Sequence, residues 1–212
     1  MLEIFRIPPN LTNELINFSN QQNCYLLNQL DNLKLELQNY IGIYALYYRG
    51  THYLYQCISR ANQNYCCLPI YIGKAVPSGR RTGLNTSNQN LYSRLKEHRN
   101  SIKQGNGIEI DEFMFKVIAM EIDLVSWGES VMIRHFQPVW NQIIDGFGNH
   151  DPGSGRYQQR RSVWDLLHPG RKWADRLTNF TPLNPTALAS QINVLCQASG
   201  QRLGCFKNEN EL

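Results

Sequence analysis

The sequence predicts an α+β fold in which a small sheet of three strands is flanked by helices. Two observations predict this fold. Three short segments are rich in β-branched and aromatic residues, and the longer segments around them have apolar residues at helical spacing. In the core these elements follow the order strand, strand, helix, strand, helix. With 212 residues, the chain can form one such domain with an extension at each end.

The N-terminal segment, residues 1–40, is predicted to be a helical extension. Apolar side chains recur at helical spacing through this segment, and Asn and Gln residues separate them. The apolar positions are Leu15, Ile16, Leu26, Leu27, Leu30, Leu33 and Leu37. This pattern predicts one or two amphipathic helices.

The core, residues 41–144, begins with two predicted strands. Residues 41–48 and 68–72 are β-branched and aromatic, and Gly, Pro and Asn residues bound them. The polar segment 49–67 between them alternates aromatic and other side chains, which would allow it to extend the hairpin. Residues 76–90 are rich in Gly, Ser, Thr and Asn and are predicted to form a loop.

The second half of the core is predicted to contain a helix, a strand and a second helix. Apolar spacing predicts the first helix over residues 91–103, and the glycines that follow would end it. Residues 113–122 have apolar side chains on both faces, which indicates a strand that is covered on both sides. Asp123 is the expected N-cap of the second helix, residues 124–136, and Pro138 would stop it.

Residues 145–212 are predicted to form the second extension. It begins with a glycine-dense loop at residues 145–155 and continues with a basic, aromatic segment, residues 156–177, that is expected to hold short helices. Residues 187–195 have helical character. The four tryptophans are expected in the core; they are Trp127, Trp140, Trp164 and Trp173.

Composition excludes several classes of protein. No apolar run approaches the roughly 20 residues that span a bilayer, and the N-terminus lacks the pattern of a secretory signal. We therefore expect a cytoplasmic protein without a membrane role. None of the six cysteines lies in a CxxC pair or near a histidine at zinc-finger spacing, so reduced structural thiols are predicted rather than a zinc site.

Two tripeptides place tyrosines on the predicted strands. Gly42-Ile43-Tyr44 lies on the first strand and Tyr71-Ile72-Gly73 on the second. Adjacent antiparallel strands could place both phenols on one face. Either tyrosine alone would be an ordinary strand residue.

The predicted helices add further polar residues. Arg94 and His98 are four residues apart and project from the same side of one helix. Glu129 lies in the other helix, and Asn141 lies just past its end. Each residue alone has an ordinary structural explanation, but in this order the six residues favour one site that cleaves a phosphodiester. Such cleavage needs a nucleophile, a cation near the phosphate and help for the leaving oxygen.

In their order these motifs resemble the GIY-YIG nuclease superfamily, over residues 42–141. The resemblance implies a three-stranded antiparallel sheet, one divalent cation, and hydrolysis to 5′-phosphate and 3′-hydroxyl ends. The long segment between the two tripeptides, the N-terminal helices and the glycine-rich stretch resemble the type II restriction endonucleases of this superfamily. Relatives in that group cut the palindrome CCGCGG, so we expect a palindromic, GC-rich DNA target.

Roles follow from the chemistry of each side chain, with the resemblance as support. Glu129 is the strong hard-oxygen ligand of the motif and is expected to bind Mg²⁺, for which Mn²⁺ would substitute. Arg94 is suited to the charge that develops on the phosphate. His98 and Tyr71 would hydrogen-bond the phosphate or the attacking water, and Asn141 would orient its neighbours near the metal.

The general base is predicted to be Tyr44. A phenol with a pKa near about 10 needs a cation to lower that value. Lys74, directly after the second tripeptide, is the first candidate for this cation, and the metal itself is the other. His98 is the alternative base. A covalent tyrosyl intermediate is chemically available, but the resemblance favours direct hydrolysis.

Two groups of residues are predicted to bind double-stranded DNA. The first is basic and lies beside the predicted site; it consists of Arg80, Arg81, Lys96, Arg99 and Lys103. The second follows the glycine-rich loop and is expected to read bases, because Arg suits guanine; it consists of Asn149, Arg156, Gln158, Gln159, Arg160, Arg161, Arg171 and Lys172. The alternative for both groups is a solvated positive face.

The chain is expected to act as one endonuclease domain, residues 1–212, whose last segment, residues 145–212, recognises DNA. A palindromic target favours a homodimer, with contacts from the N-terminal helices and residues 47–67. Neither a membrane nor a small-molecule substrate is expected. Two alternatives remain at this point: a structure-selective repair or mobile-element nuclease, and a catalytically inactive DNA-binding protein.

Overall fold

The computed structural model describes residues 8–77 and 89–206, so Arg80 and Arg81 of the first basic group lie outside the described residues. The chain forms an antiparallel sheet whose strands lie in the order β1, β4, β2, β3. The strands are β1 (Tyr25–Leu26), β2 (Gly42–Tyr48), β3 (Tyr71–Ala75) and β4 (Phe113–Ala119). The α+β prediction is confirmed, with one strand more than predicted.

The additional strand, β1, has two residues and comes from the N-terminal extension. Tyr25 pairs with Phe115 and Leu26 pairs with Met114, so β1 extends the sheet beyond β4. The described part of the N-terminal extension, residues 8–40, also contains helical pieces, as predicted: α1 (Pro9–Gln21), a 3₁₀ helix (Leu27–Leu33) and α2 (Lys34–Leu37). Two residues are too few to show the alternation that identifies a strand from sequence.

Two helices cover the opposite faces of the sheet. Because side chains alternate along a strand, Tyr44, Leu46 and Tyr48 of β2 face one side while Ile43, Ala45 and Tyr47 face the other. Helix α4 (Leu91–Gln104) packs on the first side, and α5 (Ile122–Phe136) packs on the second. All of β2 is buried. The strand that contains Tyr44 is therefore the centre of the core.

The ends of these helices have identifiable causes. Helix α4 begins with a capping box, in which the Asn90 and Ser93 side chains each accept a hydrogen bond from the other residue's backbone N–H. The predicted N-cap of α5, Asp123, is wrong, because the helix begins at Ile122, two residues earlier than predicted, and its N-cap is Glu121. Its C-terminal end follows the prediction, with Gln137 in the left-handed conformation just before Pro138.

The segment between β2 and β3 does not extend the hairpin. It forms a 3₁₀ helix (Tyr53–Tyr55) followed by α3 (Gln56–Ala61). The fully buried side chain of Asn62 explains the change of direction: its amide donates to the carbonyls of Tyr48 and Leu68, and its oxygen accepts from the backbone N–H of Leu68. A polar residue that holds three chain segments together gives no periodic signal in the sequence.

The prediction of reduced thiols is also wrong, because all six cysteines form disulfides. The pairs are Cys24–Cys66, Cys57–Cys196 and Cys67–Cys205. Each joins the segment between β2 and β3 to the N-terminal extension or to the C-terminal part of the chain. The pairing depends on tertiary proximity, and the spacing of cysteines along the chain does not reveal it.

The C-terminal extension contains short helices and one long one. These are α7 (Val163–Leu167), two 3₁₀ helices (Ser154–Arg156 and Ala174–Arg176) and α8 (Pro185–Arg202), and they follow α6 (Val139–Gln142) at the end of the core. Helix α8 is longer than predicted and packs against α3. Trp140 and Trp164 are buried as expected, whereas Trp127 and Trp173 are partly exposed. Among the described residues, no helix is long and apolar enough to span a membrane.

Candidate active site

The two tripeptides of the sequence meet at the edge of the sheet. The strand register pairs Tyr44 with Gly73, two residues after Tyr71 on the same face of β3. A side chain at Gly73 would place its Cβ 2.5 Å from the Tyr44 hydroxyl oxygen. Glycine is therefore required at this position, because the phenol of Tyr44 occupies the space above it. The Tyr44 and Tyr71 rings lie 6.3 Å apart.

Tyr44 contacts His98 directly. Its hydroxyl oxygen lies 2.6 Å from Nε2 of His98, and both side chains are buried. Burial and the nearby Arg94 guanidinium hold the pKa of His98 well below 6.5, so the imidazole is neutral. Burial raises the pKa of Tyr44 well above 10 and that of Tyr71 to about 12. Tyr44 is therefore protonated beside a neutral imidazole, and its hydroxyl donates to Nε2 in the His98 tautomer that carries its proton on Nδ1.

Lys74 does not contact Tyr44, contrary to the prediction that it activates this phenol. Lys74 pairs with Ile43 in the register and projects from the opposite face of the sheet. Its Nζ lies 2.8 Å from Oε2 of Glu129 and 3.4 Å from Oγ of Ser126. The cation that lowers the pKa of Tyr44 is Arg94, although burial raises this pKa by more.

Glu129 projects from α5 next to this edge. Its side chain is 20% exposed, and its negative charge contributes to the raised pKa of both Tyr44 and Tyr71. Within residues 8–77 and 89–206, no group of three or more His, Cys, Asp or Glu side chains is arranged so that it could hold a metal ion. One accessible carboxylate is a donor set that fits Mg²⁺, which commonly binds through one or two carboxylates, waters and phosphate oxygens. Glu129 is thus the residue that would hold the cation.

Arg94 lies one helical turn before His98 and points to the C-terminal extension. Its Nη1 contacts Glu97 and lies 2.6 Å from Nε2 of His150, and its side chain is 13% exposed. His150 was not among the predicted site residues. It lies in a loop without a recognisable motif, and only the fold brings it to Arg94.

Asn141 fixes the position of the edge strand. Its side-chain oxygen accepts from the backbone N–H of Ile72 at 2.8 Å, and its amide donates to the Ile72 carbonyl at 2.9 Å. The side chain thus occupies the place of a neighbouring strand beside β3. Ile72 lies between Tyr71 and Gly73, so Asn141 holds the backbone that positions the two tyrosines.

Phe147 is a second site residue that the sequence reasoning missed. Its ring stacks on His98, with centroids 4.5 Å apart and an interplanar angle of 20°, and meets Tyr71 edge-on at 4.9 Å. The loop that carries Phe147 belongs to the C-terminal extension. The extension therefore forms one wall of the site.

Arg171 holds this loop in place, and its assignment to base reading is corrected. The side chain is fully buried, with its guanidinium between the rings of Trp164 and Trp173. It makes two hydrogen bonds to Asp165 at 2.7 Å each and three to backbone carbonyls; these carbonyls belong to Gly146, Phe147 and Asn149. All five N–H groups are used, and none is left to contact a base.

The described residues of the first basic group differ in their exposure to solvent. Lys96 and Lys103 are exposed on α4, as phosphate contacts must be. Arg99 is buried and forms a bidentate pair with Asp31, at 3.0 and 3.2 Å, which holds the pKa of Asp31 at about 2. Its assignment to DNA binding is corrected, because it joins α4 to the N-terminal extension.

Most of the second group remains available to a ligand. A surface groove next to Arg94 is lined by four of its members together with His150; the four are Asn149, Arg156, Gln159 and Arg160. Gln158 and Lys172 are also exposed. Arg161 is partly buried and lies 3.5 Å from Asp175. We refer to this concavity as the extension groove.

The antiparallel sheet, the helices on its two faces and the polar cluster at its edge define a nuclease of the GIY-YIG class. A model of the Eco29kI GIY-YIG domain, which describes a group of restriction endonucleases, matches residues 36–195. Because this match covers most of the chain, including parts of both extensions, the chain belongs to the Eco29kI GIY-YIG family. It is thus a restriction-type nuclease that binds DNA. No curated protein matches the chain.

Proposed function

We propose that the chain is a type II restriction endonuclease that makes double-strand breaks in palindromic, GC-rich DNA. It hydrolyses the phosphodiester with Mg²⁺ and leaves 5′-phosphate and 3′-hydroxyl ends. The observation that supports this proposal most directly is the 2.6 Å contact of Tyr44 with neutral His98, one helical turn from Arg94. This arrangement can remove a proton from water beside a cation suited to phosphate.

Tyr44 and His98 act together as the base in this proposal. The attacking water gives its proton to the Tyr44 oxygen while the proton of that phenol moves to Nε2 of His98. The hydroxide so formed attacks phosphorus, the bond to the 3′ oxygen breaks, and that oxygen takes a proton from solvent to become the 3′-hydroxyl. This relay avoids a free tyrosinate, which the raised pKa of Tyr44 disfavours. Burial also lowers the pKa of His98, so the imidazolium that the relay forms depends on the negative charge of the bound phosphate for its stabilisation.

Arg94 and Glu129 complete the reaction. The Arg94 guanidinium stabilises the charge that builds on the phosphate, after its contacts with Glu97 and His150 give way to the substrate. Mg²⁺, when bound by Glu129, supplies positive charge for the leaving 3′ oxygen. Tyr71 contacts the phosphate or the water from the same face as Tyr44.

The extension groove is the part that reads sequence in this proposal. Arg156 and Arg160 are exposed there and suit guanine, while Gln159 offers both a donor and an acceptor. Lys96 and Lys103 contact phosphates without regard to sequence. A two-fold homodimer would let each subunit cut one strand of a palindrome, with residues 145–212 of each subunit reading one half-site.

Digestion of plasmid DNA with Mg²⁺, followed by sequencing of the ends, tests the proposal. A restriction endonuclease gives discrete fragments whose ends share one palindromic sequence. A structure-selective nuclease would instead prefer branched substrates and leave the plasmid without discrete fragments. Absence of cleavage on both substrates, with DNA binding retained, would identify an inactive binding protein.

A further inference from the structure

The carboxylate that would bind the metal already has a cationic partner. Nζ of Lys74 lies 2.8 Å from Oε2 of Glu129, a distance at which the ammonium directly faces the oxygen that a cation would need. Ser126, one turn earlier on α5, holds the same ammonium with its hydroxyl at 3.4 Å. The pair lies on the α5 side of the sheet, away from the hydroxyl of Tyr44.

The proton relay leaves this lysine without a role. Tyr44 is held by His98 and Arg94, and Lys74 does not affect its pKa. The Lys74 side chain is 35% exposed and long enough to turn away from Glu129 toward solvent or a bound phosphate. The Lys74 ammonium can therefore leave the Glu129 carboxylate when another cation binds there.

We propose that Lys74 competes with the divalent cation for Glu129, so that tight cation binding requires DNA. The inference rests on the proposed function, in which Glu129 is the metal ligand. A cation that approaches Glu129 in the free protein must displace the ammonium or remain close to a like charge. A DNA phosphate adds negative charge at this edge and compensates both cations, so DNA and cation strengthen each other's binding.

Binding of Mn²⁺ alone, followed by electron paramagnetic resonance of the free ion, tests the competition without any cleavage. Lys74→Met should bind Mn²⁺ at least tenfold more tightly than the unmodified protein. Lys74→Arg keeps the positive charge and should show no such gain. Ser126→Ala removes only the weaker contact of the ammonium and should change Mn²⁺ affinity by less than the Lys74→Met substitution. Circular dichroism confirms that each variant is folded.

A second arm measures the coupling to DNA. A short duplex containing CCGCGG, with phosphorothioate linkages that resist cleavage, should strengthen Mn²⁺ binding by the unmodified protein more than by Lys74→Met. Equal Mn²⁺ affinity of the two proteins without DNA, including no detectable binding by either, overturns the inference. If Glu129→Gln combined with Lys74→Met binds Mn²⁺ as Lys74→Met alone does, the metal-ligand assignment of the proposed function has failed as well.

Discussion

Substitution of Arg171 tests whether this buried side chain holds the loop that carries Phe147 beside the site. Arg171 and Asp165 are 1% and 2% exposed, and Arg171→Met leaves the Asp165 carboxylate buried with Ser162 as its remaining side-chain partner. Breaking a buried ion pair by removing one partner costs about 3–5 kcal/mol. The carbonyls of residues 146, 147 and 149 lose their donors as well, so the cost should lie at the upper end of this range.

Denaturant unfolding, followed by tryptophan fluorescence, measures this loss. Thermal unfolding gives a second readout. In a chain of this size each kcal/mol of lost stability lowers Tm by roughly 2–4 °C, so the Tm of Arg171→Met should be about 10–20 °C lower. Arg171→Lys keeps the charge but cannot supply five N–H groups in one plane, so it should recover only part of the stability. Lys172→Ala is the matched control, because this neighbour is exposed and its loss should cost under about 0.5 kcal/mol.

The cleavage rate and the sequence preference distinguish two roles of Arg171: holding the Phe147 loop against His98, or contacting bases of the DNA. At a temperature where Arg171→Lys remains folded, its rate should fall because Phe147 no longer holds His98 firmly, while its preference for the cognate sequence persists. A change in unfolding free energy below about 1 kcal/mol for Arg171→Met would refute the reasoning. So would a folded Arg171→Lys variant that cuts at the normal rate but has lost its sequence preference.

Four further predictions concern the site and its assembly. Tyr44→Phe removes the relay and should lower the single-turnover rate by at least about 100-fold, with unchanged circular dichroism. Near-normal cutting by this variant would show that another group is the general base. Glu129→Gln should abolish Mg²⁺-dependent cutting in a gel assay while DNA affinity is kept or raised, and substantial cutting would remove its role as metal ligand. Arg160→Ala should cost roughly 1–3 kcal/mol of discrimination between cognate and non-cognate duplexes, whereas Lys96→Ala should weaken both alike; equal losses in the two variants would contradict the division. Light scattering on a short palindromic duplex should show two chains per duplex, and a monomer that cuts both strands would exclude the dimer.

The sequence could predict which motif residues lie near one another because their order along the chain reflects the order of the core elements. Tyr44, Tyr71 and His98 come together as expected, and Asn141 lies beside them. What the motif could not show is the partner of each side chain. Lys74 follows Gly73 directly. Because side chains alternate along a strand, Lys74 points to the opposite face of the sheet from Tyr71.

The corrected arginines show a different limit of sequence reasoning. The sequence predicts two groups of DNA-binding residues, but Arg99 of the first group and Arg171 of the second each have an acidic partner in the fold. Asp31 is 68 residues from Arg99, a separation that no local pattern can reveal. Asp165 is only six residues from Arg171, but the same guanidinium also donates to three carbonyls of the loop at residues 146–149, and the sequence does not show that this loop lies beside the pair. Burial therefore decides which arginines can reach DNA.

The edge strand β3 explains why the second tripeptide has its composition. Tyr71 faces α4 with Tyr44 and His98, Ile72 faces the opposite way into the core beneath α5, and Gly73 has no side chain, so that the Tyr44 hydroxyl can reach the strand edge. The next residue, Lys74, meets Glu129 on the α5 side. The proposed base, Tyr44, and the proposed metal ligand, Glu129, thus lie on opposite faces of β3. A phosphate that uses both must lie across the edge of β3, where Asn141 keeps the backbone in place. Any change that shifts this edge, including loss of the Asn141 amide, should therefore uncouple the two groups even if both remain intact.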